Sequence, residues 1–146
     1  MYSFRKSKKG FTLIELMVVV AIIGVLSLLG LRLYSGQQEK AKNAVIKANC
    51  GTIQTLIQAE LADRPITQLN TVPLLTANIF AKAGIYNPVS GNAQIACPAT
   101  AAGAVAGEVW VTYTAATATV SAFWTINGAD ATDSGYVYVN PLTARK

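Results

Sequence analysis

The sequence predicts an α+β chain: a long N-terminal helix, membrane-spanning in its first half, packed by its second half against a C-terminal antiparallel β-sheet. Three observations carry that prediction. Residues 13–31 are apolar or small apart from Glu15 and Ser27. No proline occurs before Pro65, so nothing forces a helix begun in that run to stop. Segments rich in Val, Thr, Trp, Tyr and Phe then gather towards the C-terminus, the composition of strands.

As a helix, residues 13–31 rise about 28 Å, close to the ~30 Å hydrocarbon thickness of a bilayer. Arg5, Lys6, Lys8 and Lys9 precede the run, so the positive-inside rule keeps that end in the cytoplasm. No Ala-x-Ala-like site follows the apolar core, and the segment is expected to stay on the mature chain. One helix from Phe11 to Ala62 would be about 78 Å long. Its second half places Val45, Ile46, Cys50, Ile53, Leu56 and Ile57 on one face, with Lys40, Lys47, Gln54 and Gln58 on the other. Glu60 interrupts the stripe, which is expected to loosen before Asp63, Arg64 and Pro65.

A mixed connection covers residues 67–100, with a short helix around 74–83 ended by Gly84. Asn87-Pro88-Val89-Ser90-Gly91-Asn92 carries turn chemistry, and the Ala/Gly-rich residues 99–107 form a loop tip. Three β-runs follow at 108–114, 119–126 and 136–140. In the first, Val109, Val111 and Tyr113 share a face; in the second, Val120, Ala122, Trp124 and Ile126 do. An antiparallel meander laid over the helix stripe buries both apolar faces at once. The oxygen-rich residues 127–135 join the last two strands as a turn.

Charge and side-chain inventory narrow the chemistry. The 12 Lys and Arg against 7 Asp and Glu give +5, but four of the cations lie in the first nine residues. Beyond Gly10 the balance falls to eight against seven, or +1. The basicity therefore belongs to the N-terminus, and nucleic acid is not expected as a primary ligand. With 52% hydrophobic and 13% charged residues, a disordered chain is excluded. There is no His, so imidazole-based nucleophilic catalysis has no candidate, and no phosphate-cradling loop is present. The chain reads as a non-enzyme with no catalytic residues.

Glu15 is the residue that a plain membrane anchor does not explain, since a carboxylate in hydrocarbon marks a partner or a function. The stretch Gly10-Phe11-Thr12-Leu13-Ile14-Glu15-Leu16-Met17, behind its short basic leader, resembles the class III signal of the type IV pilin and pseudopilin superfamily. The resemblance covers roughly residues 8–33. It implies a leader of residues 1–10 cut by a prepilin peptidase between Gly10 and Phe11, with N-methylation of Phe11. It implies a membrane and filament-core helix at 11–33 and a globular head at 34–146. Phe11 and Glu15 become the assembly residues. Many family members have a helix-breaking proline near the end of the apolar half; here Arg32 stands in that region, and Gly24 and Gly30 are either the weak points of the helix or sites of close helix–helix packing.

Cys50 and Cys97 are the only cysteines, in a head expected on the oxidising side of the membrane. A disulfide between them would stabilise the head by roughly 4 kcal/mol on the chain-entropy model. The alternative is a pair of buried free thiols. Asp130 and Asp133 are the carboxylates that a Ca²⁺ ion would use, but their spacing fits no defined calcium motif, so no cofactor is expected and a solvated turn is. The function that the resemblance implies is a structural pilin, polymerised with itself into a type IV pilus serving adhesion, twitching motility or DNA uptake. Its partners would be the prepilin peptidase, the inner-membrane assembly platform and the membrane. The precursor would sit in the inner membrane and the product in an extracellular pilus. The alternatives are a pseudopilin of a type II secretion system and a minor tip pilin acting as a binding module.

Overall fold

The computed structural model describes residues 10–65, 69–98, 105–119, 121–132, 135 and 142–145. The chain divides into two compact units, Met1–Gln37 and Gln38–Lys146. Helix α1 runs Leu13–Asp63, 51 residues without interruption. It starts two residues after the expected Phe11, because Thr12 stands as its N-terminal cap. Within the first unit, residues 10–34 are all exposed.

Within the second unit, α1 buries Ile46, Cys50, Ile53, Ile57 and Leu61. These fall at spacings of four, three, four and four, one stripe along one face. Two sequence expectations are corrected. Val45 sits a full residue step off the stripe and is exposed, and Leu56 is only partly buried at its edge. The stripe does not loosen at Glu60 but continues to Leu61. Glu60 leaves it undisturbed because its carboxylate is turned aside, to Arg64 Nε at 2.9 Å and Lys82 Nζ at 3.5 Å.

Helix α2, Val72–Ala83, lies where a short helix was expected. Pro73 stands in its first turn, where the missing N–H costs nothing, and its middle, Thr76–Phe80, winds as a π-helix. Gly84, at φ +61°, ends it in the left-handed conformation. A hairpin follows, in which Tyr86 pairs with Ala93, Gln94 N donates to Ile85 O and Asn87 N donates to Asn92 O. Its faces alternate: Ile85, Asn87 and Gln94 point inward while Tyr86, Ala93 and Ile95 point to solvent. Asn87 closes the turn, its Oδ1 accepting from Val89 N at 2.7 Å and Ser90 N at 3.2 Å. A side chain on Gly107, at φ +85°, would run into Asn87 Oδ1.

The sheet has three antiparallel strands in the order β1 (Val109–Thr114), β2 (Phe123–Gly128) and β3 (Leu142–Arg145). The register sets Val109 opposite Gly128 and Thr114 opposite Phe123. Strand β2 therefore begins after Thr119 and extends past Ile126, through Asn127 and Gly128, which the sequence had suggested as turn. The reason is contact: a Cβ on Gly128 would lie 2.5 Å from Ile46 Cγ2 and 3.1 Å from Cys50 Sγ. Only glycine lets the end of β2 approach α1 so closely. The third β-run expected at 136–140, like Val120 and residues 99–104 of the loop tip, lies outside the described residues. The third strand that is described is Leu142–Arg145, paired with β2 through Ile126 and Leu142.

The core joins the α1 stripe to β2 and α2. Trp124 and Ile126 are fully buried, and Ala122 lies on their face. Trp124 donates its indole N–H to Leu69 O at 2.8 Å, and its ring lies 5.3 Å from that of Tyr113 at a 50° tilt. Val109 and Val111 are buried as expected and Tyr113 is half-buried. Trp110, on the opposite face of β1, is buried too, so that strand begins covered on both sides. The side-chain amide of Gln94 lies against the free edge of β1, accepting from Val109 N and donating to Val109 O, as a neighbouring peptide group would.

Replacement of Gly128 by Ala is expected to destabilise the head by about 1–3 kcal/mol, the cost of forcing volume into a packed core. Thermal melting checks this; an unchanged melting temperature would show that the α1–β2 approach is looser than these contacts imply.

Candidate functional site

The start of α1 is built by two side chains. Gly10, Phe11 and Thr12 precede the helix, and Phe11 is 90% exposed. Leu16 N donates to Thr12 O at 3.3 Å, the first helical bond. Glu15 N then donates to Thr12 Oγ1 at 3.4 Å, while Glu15 Oε2 accepts from Thr12 N at 2.8 Å and Thr12 Oγ1 at 2.6 Å. This is a reciprocal capping box: each residue satisfies a backbone donor of the other at a helix end that leaves four donors unmatched. Glu15 thus has a partner in its own chain that sequence reasoning missed. The signal was present, since Thr12 and Glu15 stand at the Thr-x-x-Glu spacing just before an apolar run.

The arrangement leaves the Gly10–Phe11 peptide outside the helix and in the open. Among the described residues, chain neighbours aside, no heavy atom lies within 4 Å of where a Gly10 Cβ would be. Behind the cap comes the apolar stretch of α1, long and apolar enough to cross a membrane and with none of that stretch buried. The N-terminal candidates Gly10, Phe11 and Glu15 therefore occupy one short segment: an accessible peptide bond, the residue after it, and a carboxylate one helical turn on.

The remaining candidates lie in the head and do not form a reactive site. Cys50 and Cys97 are both buried free thiols, so the bridge expected from the sequence is not formed. Each has its own surroundings. Cys50 packs beneath Gly128, whereas Cys97 Sγ donates to Val111 O at 3.8 Å and Pro98 O at 3.5 Å, with Cys97 N held by Thr76 Oγ1. Burial pushes the Cys50 thiol up to about 12, and burial also raises that of Cys97. Both behave as small apolar core residues.

Asp130 serves as a latch. Its Oδ1 accepts from Thr132 N and Oγ1, each at 3.1 Å, and from Asn43 Nδ2 at 3.2 Å. Asn43 Oδ1 in turn accepts from Ala131 N at 3.1 Å, so one α1 side chain holds the loop after β2 from both sides. These bonds, the one to Thr132 N first, keep the Asp130 carboxyl below its ordinary range. Asp133 lies outside the described residues. Among the described residues no three His, Cys, Asp or Glu side chains converge as metal ligands would.

Comparison with known proteins matches residues 5–31 to the family model described as the prokaryotic N-terminal methylation motif. The chain is 35% identical over 77 residues to the type IV major fimbrial protein FimA of Dichelobacter nodosus, covering 53% of this chain and 49% of the relative. It is 35% identical over 74 residues to prepilin peptidase-dependent protein A of Clostridium perfringens, covering 51% and 53%. With the type IV major alpha-pilin of Moraxella bovis it shares 38% identity over 55 residues, covering 38% and 35%. The chain thus spans about half, or less, of the length of the curated relatives it matches. No solved structure matches.

The buried thiols give a pH prediction. Cys50 stays protonated in the folded head at a pH where the unfolded chain, with an ordinary thiol near 9, has ionised. Its contribution to stability is full below about pH 9 and is lost as pH rises towards 12. Melting temperature should fall over that window, and Cys50→Ala should flatten the fall. Native-state alkylation of either cysteine at neutral pH should be slow and become fast on unfolding; rapid native labelling would contradict the burial.

Proposed function

We propose that the chain is a member of the type IV pilin superfamily and a structural subunit, cut between Gly10 and Phe11 and polymerised with itself into a surface filament. The observation that carries this reading is the N-terminal segment: an exposed Gly-Phe peptide, a carboxylate held by the cap of α1, and an uninterrupted apolar helix behind them. The matched motif and relatives support it, since those relatives are named as major fimbrial proteins and an alpha-pilin. Those names favour an abundant filament subunit over a secretion pseudopilin or a tip-binding subunit.

The precursor waits in the inner membrane with Arg5, Lys6, Lys8 and Lys9 on the cytoplasmic side, where cations are retained. The exposed apolar side chains of α1 are covered there by lipid. A prepilin peptidase reaches the Gly10–Phe11 bond, which the cap leaves outside the helix, and Phe11 becomes the N-methylated first residue. Cleavage removes four cations and creates a new one, an α-amine with a pKa near 8 that is mostly protonated at neutral pH. Glu15 then has two claims on it: the donors of Thr12 in its own chain and the amine of Phe11 on a neighbouring subunit. In the water-poor interior of a helix bundle the amine–carboxylate contact relieves the desolvation of both groups and sets the axial register of one subunit on the next. The assembly platform supplies the extraction step, and helix packing replaces the lipid.

Glu15→Ala should still insert and be cut at Gly10, because an open peptide bond and an apolar helix remain. Filament yield in cells whose only pilin is this variant should fall by on the order of tenfold or more. Glu15→Asp should be intermediate, keeping the charge at shorter reach. Filaments of normal yield and geometry from Glu15→Ala would end the pairing role, and a mature N-terminus elsewhere than Phe11 by mass spectrometry would end the processing assignment.

A further inference from the structure

Among the described residues of the first unit, two side chains are charged: Glu15 in the first turn of α1 and Arg32 just after the apolar run. They are satisfied differently. Glu15 Oε2 takes both donors of Thr12, at 2.8 and 2.6 Å. Arg32 is exposed, and among the described residues its guanidinium has no ion-pair partner, whereas Arg64 and Lys82 share Glu60. Arg32 stands seventeen residues after Glu15, about 25 Å along the helix axis. That is less than the ~30 Å of hydrocarbon that this helix would cross. The two charges therefore cannot both stand in headgroup layers: bringing one out draws the other in.

We propose that Arg32 binds lipid phosphate at the outer face of the bilayer and so holds Glu15 inside the hydrocarbon once the leader is cut away, a role that rests on the membrane and processing readings above. Charge complementarity names the occupant. A guanidinium fork fits phosphate oxygens, and Tyr34, two residues on and 63% exposed, is of the aromatic type that lies at headgroup level. From Leu16 to Ala59 the sequence has Arg32, Lys40, Lys42 and Lys47 against one carboxylate, Glu39, an excess that suits an anionic surface. The opposing pull comes from the other end. Hydration of Glu15 favours a slide of the helix towards the cytoplasm by about one turn, which would carry Arg32 into hydrocarbon. In the precursor Arg5, Lys6, Lys8 and Lys9 hold the inner end at the anionic inner leaflet. Cleavage removes them, and the outer contact of Arg32 then sets the depth of the span. Arg32 is thus a positioning residue for Glu15: it keeps the carboxylate where water is scarce and where the amine of a neighbour is its best partner.

The test uses the whole subunit, uncut from cells lacking prepilin peptidase and cut from cells that have it, in vesicles of phosphatidylcholine and phosphatidylglycerol. Ser35→Cys is labelled with a membrane-impermeant maleimide and scaled to Gln38→Cys, three residues further out; the native cysteines are buried and do not compete. In the cut subunit Arg32→Leu should lower the labelling of Ser35→Cys several-fold, and Arg32→Lys, which still meets phosphate, should keep most of it. In the uncut subunit Arg32→Leu should change nothing. Adding Glu15→Gln to Arg32→Leu should restore much of the labelling, because the pull on the helix is gone. Equal labelling of the cut Arg32 and Arg32→Leu subunits overturns the anchor. An equal drop in cut and uncut subunits also overturns it, since apolar length alone would then explain the shift. A drop that Glu15→Gln leaves undiminished overturns the coupling to Glu15. A wild-type subunit that stays out of the vesicles strikes the membrane reading, and one that is never cut strikes the processing reading; either takes the anchor with it.

Discussion

A single helix has to satisfy two solvents, and the rest of the molecule follows from that constraint. Over its first part α1 exposes apolar side chains all round, which only lipid or other such helices can cover. Over its second part it exposes lysines and glutamines and hides one narrow stripe, Ile46, Cys50, Ile53, Ile57 and Leu61. Helical backbone serves both because it satisfies its own hydrogen bonds wherever it lies. Its ends are where that self-sufficiency fails. The N-terminus is completed by Thr12 and Glu15, and near the C-terminus Arg64 reaches Glu60 and Asn78.

The head exists to cover the stripe, and it does so with little charge. Close approach of β2 to α1 needs Gly128, and the sheet edge that β1 would leave bare is matched at its start by the Gln94 amide. The loop after β2 is fixed to α1 by Asn43 and Asp130 through neutral and singly charged hydrogen bonds, the work that a covalent staple could have done.

Under the proposed assembly, Glu15 has two roles that differ in time. Before assembly its carboxylate completes the helix end within one chain. The proposed pairing in the filament draws on the same atoms, so Thr12 keeps the charge satisfied until a better donor exists. The position of the cap also suits the proposed cleavage, since a helix that began at Gly10 would enclose the Gly10–Phe11 bond.

Much of this was legible in the sequence because it depends on local rules. The apolar run, the absence of proline before Pro65 and the Gly10, Phe11 and Glu15 spacing fixed the helix and the N-terminal motif, and the valine and aromatic runs fixed an antiparallel sheet. The Thr12–Glu15 cap was legible too and was overlooked. What only the tertiary structure decided was which locally ambiguous residues are claimed by long-range contacts. Asn127 and Gly128 have the chemistry of a turn, yet Ile46 and Cys50 need a residue without a side chain there, and the strand runs on. Val45 matches the stripe in hydrophobicity, yet its azimuth leaves it outside. Two cysteines suggested a bridge, yet each thiol is packed among different neighbours. Spacing along a chain specifies local geometry, whereas burial is a property of what arrives from elsewhere in the fold.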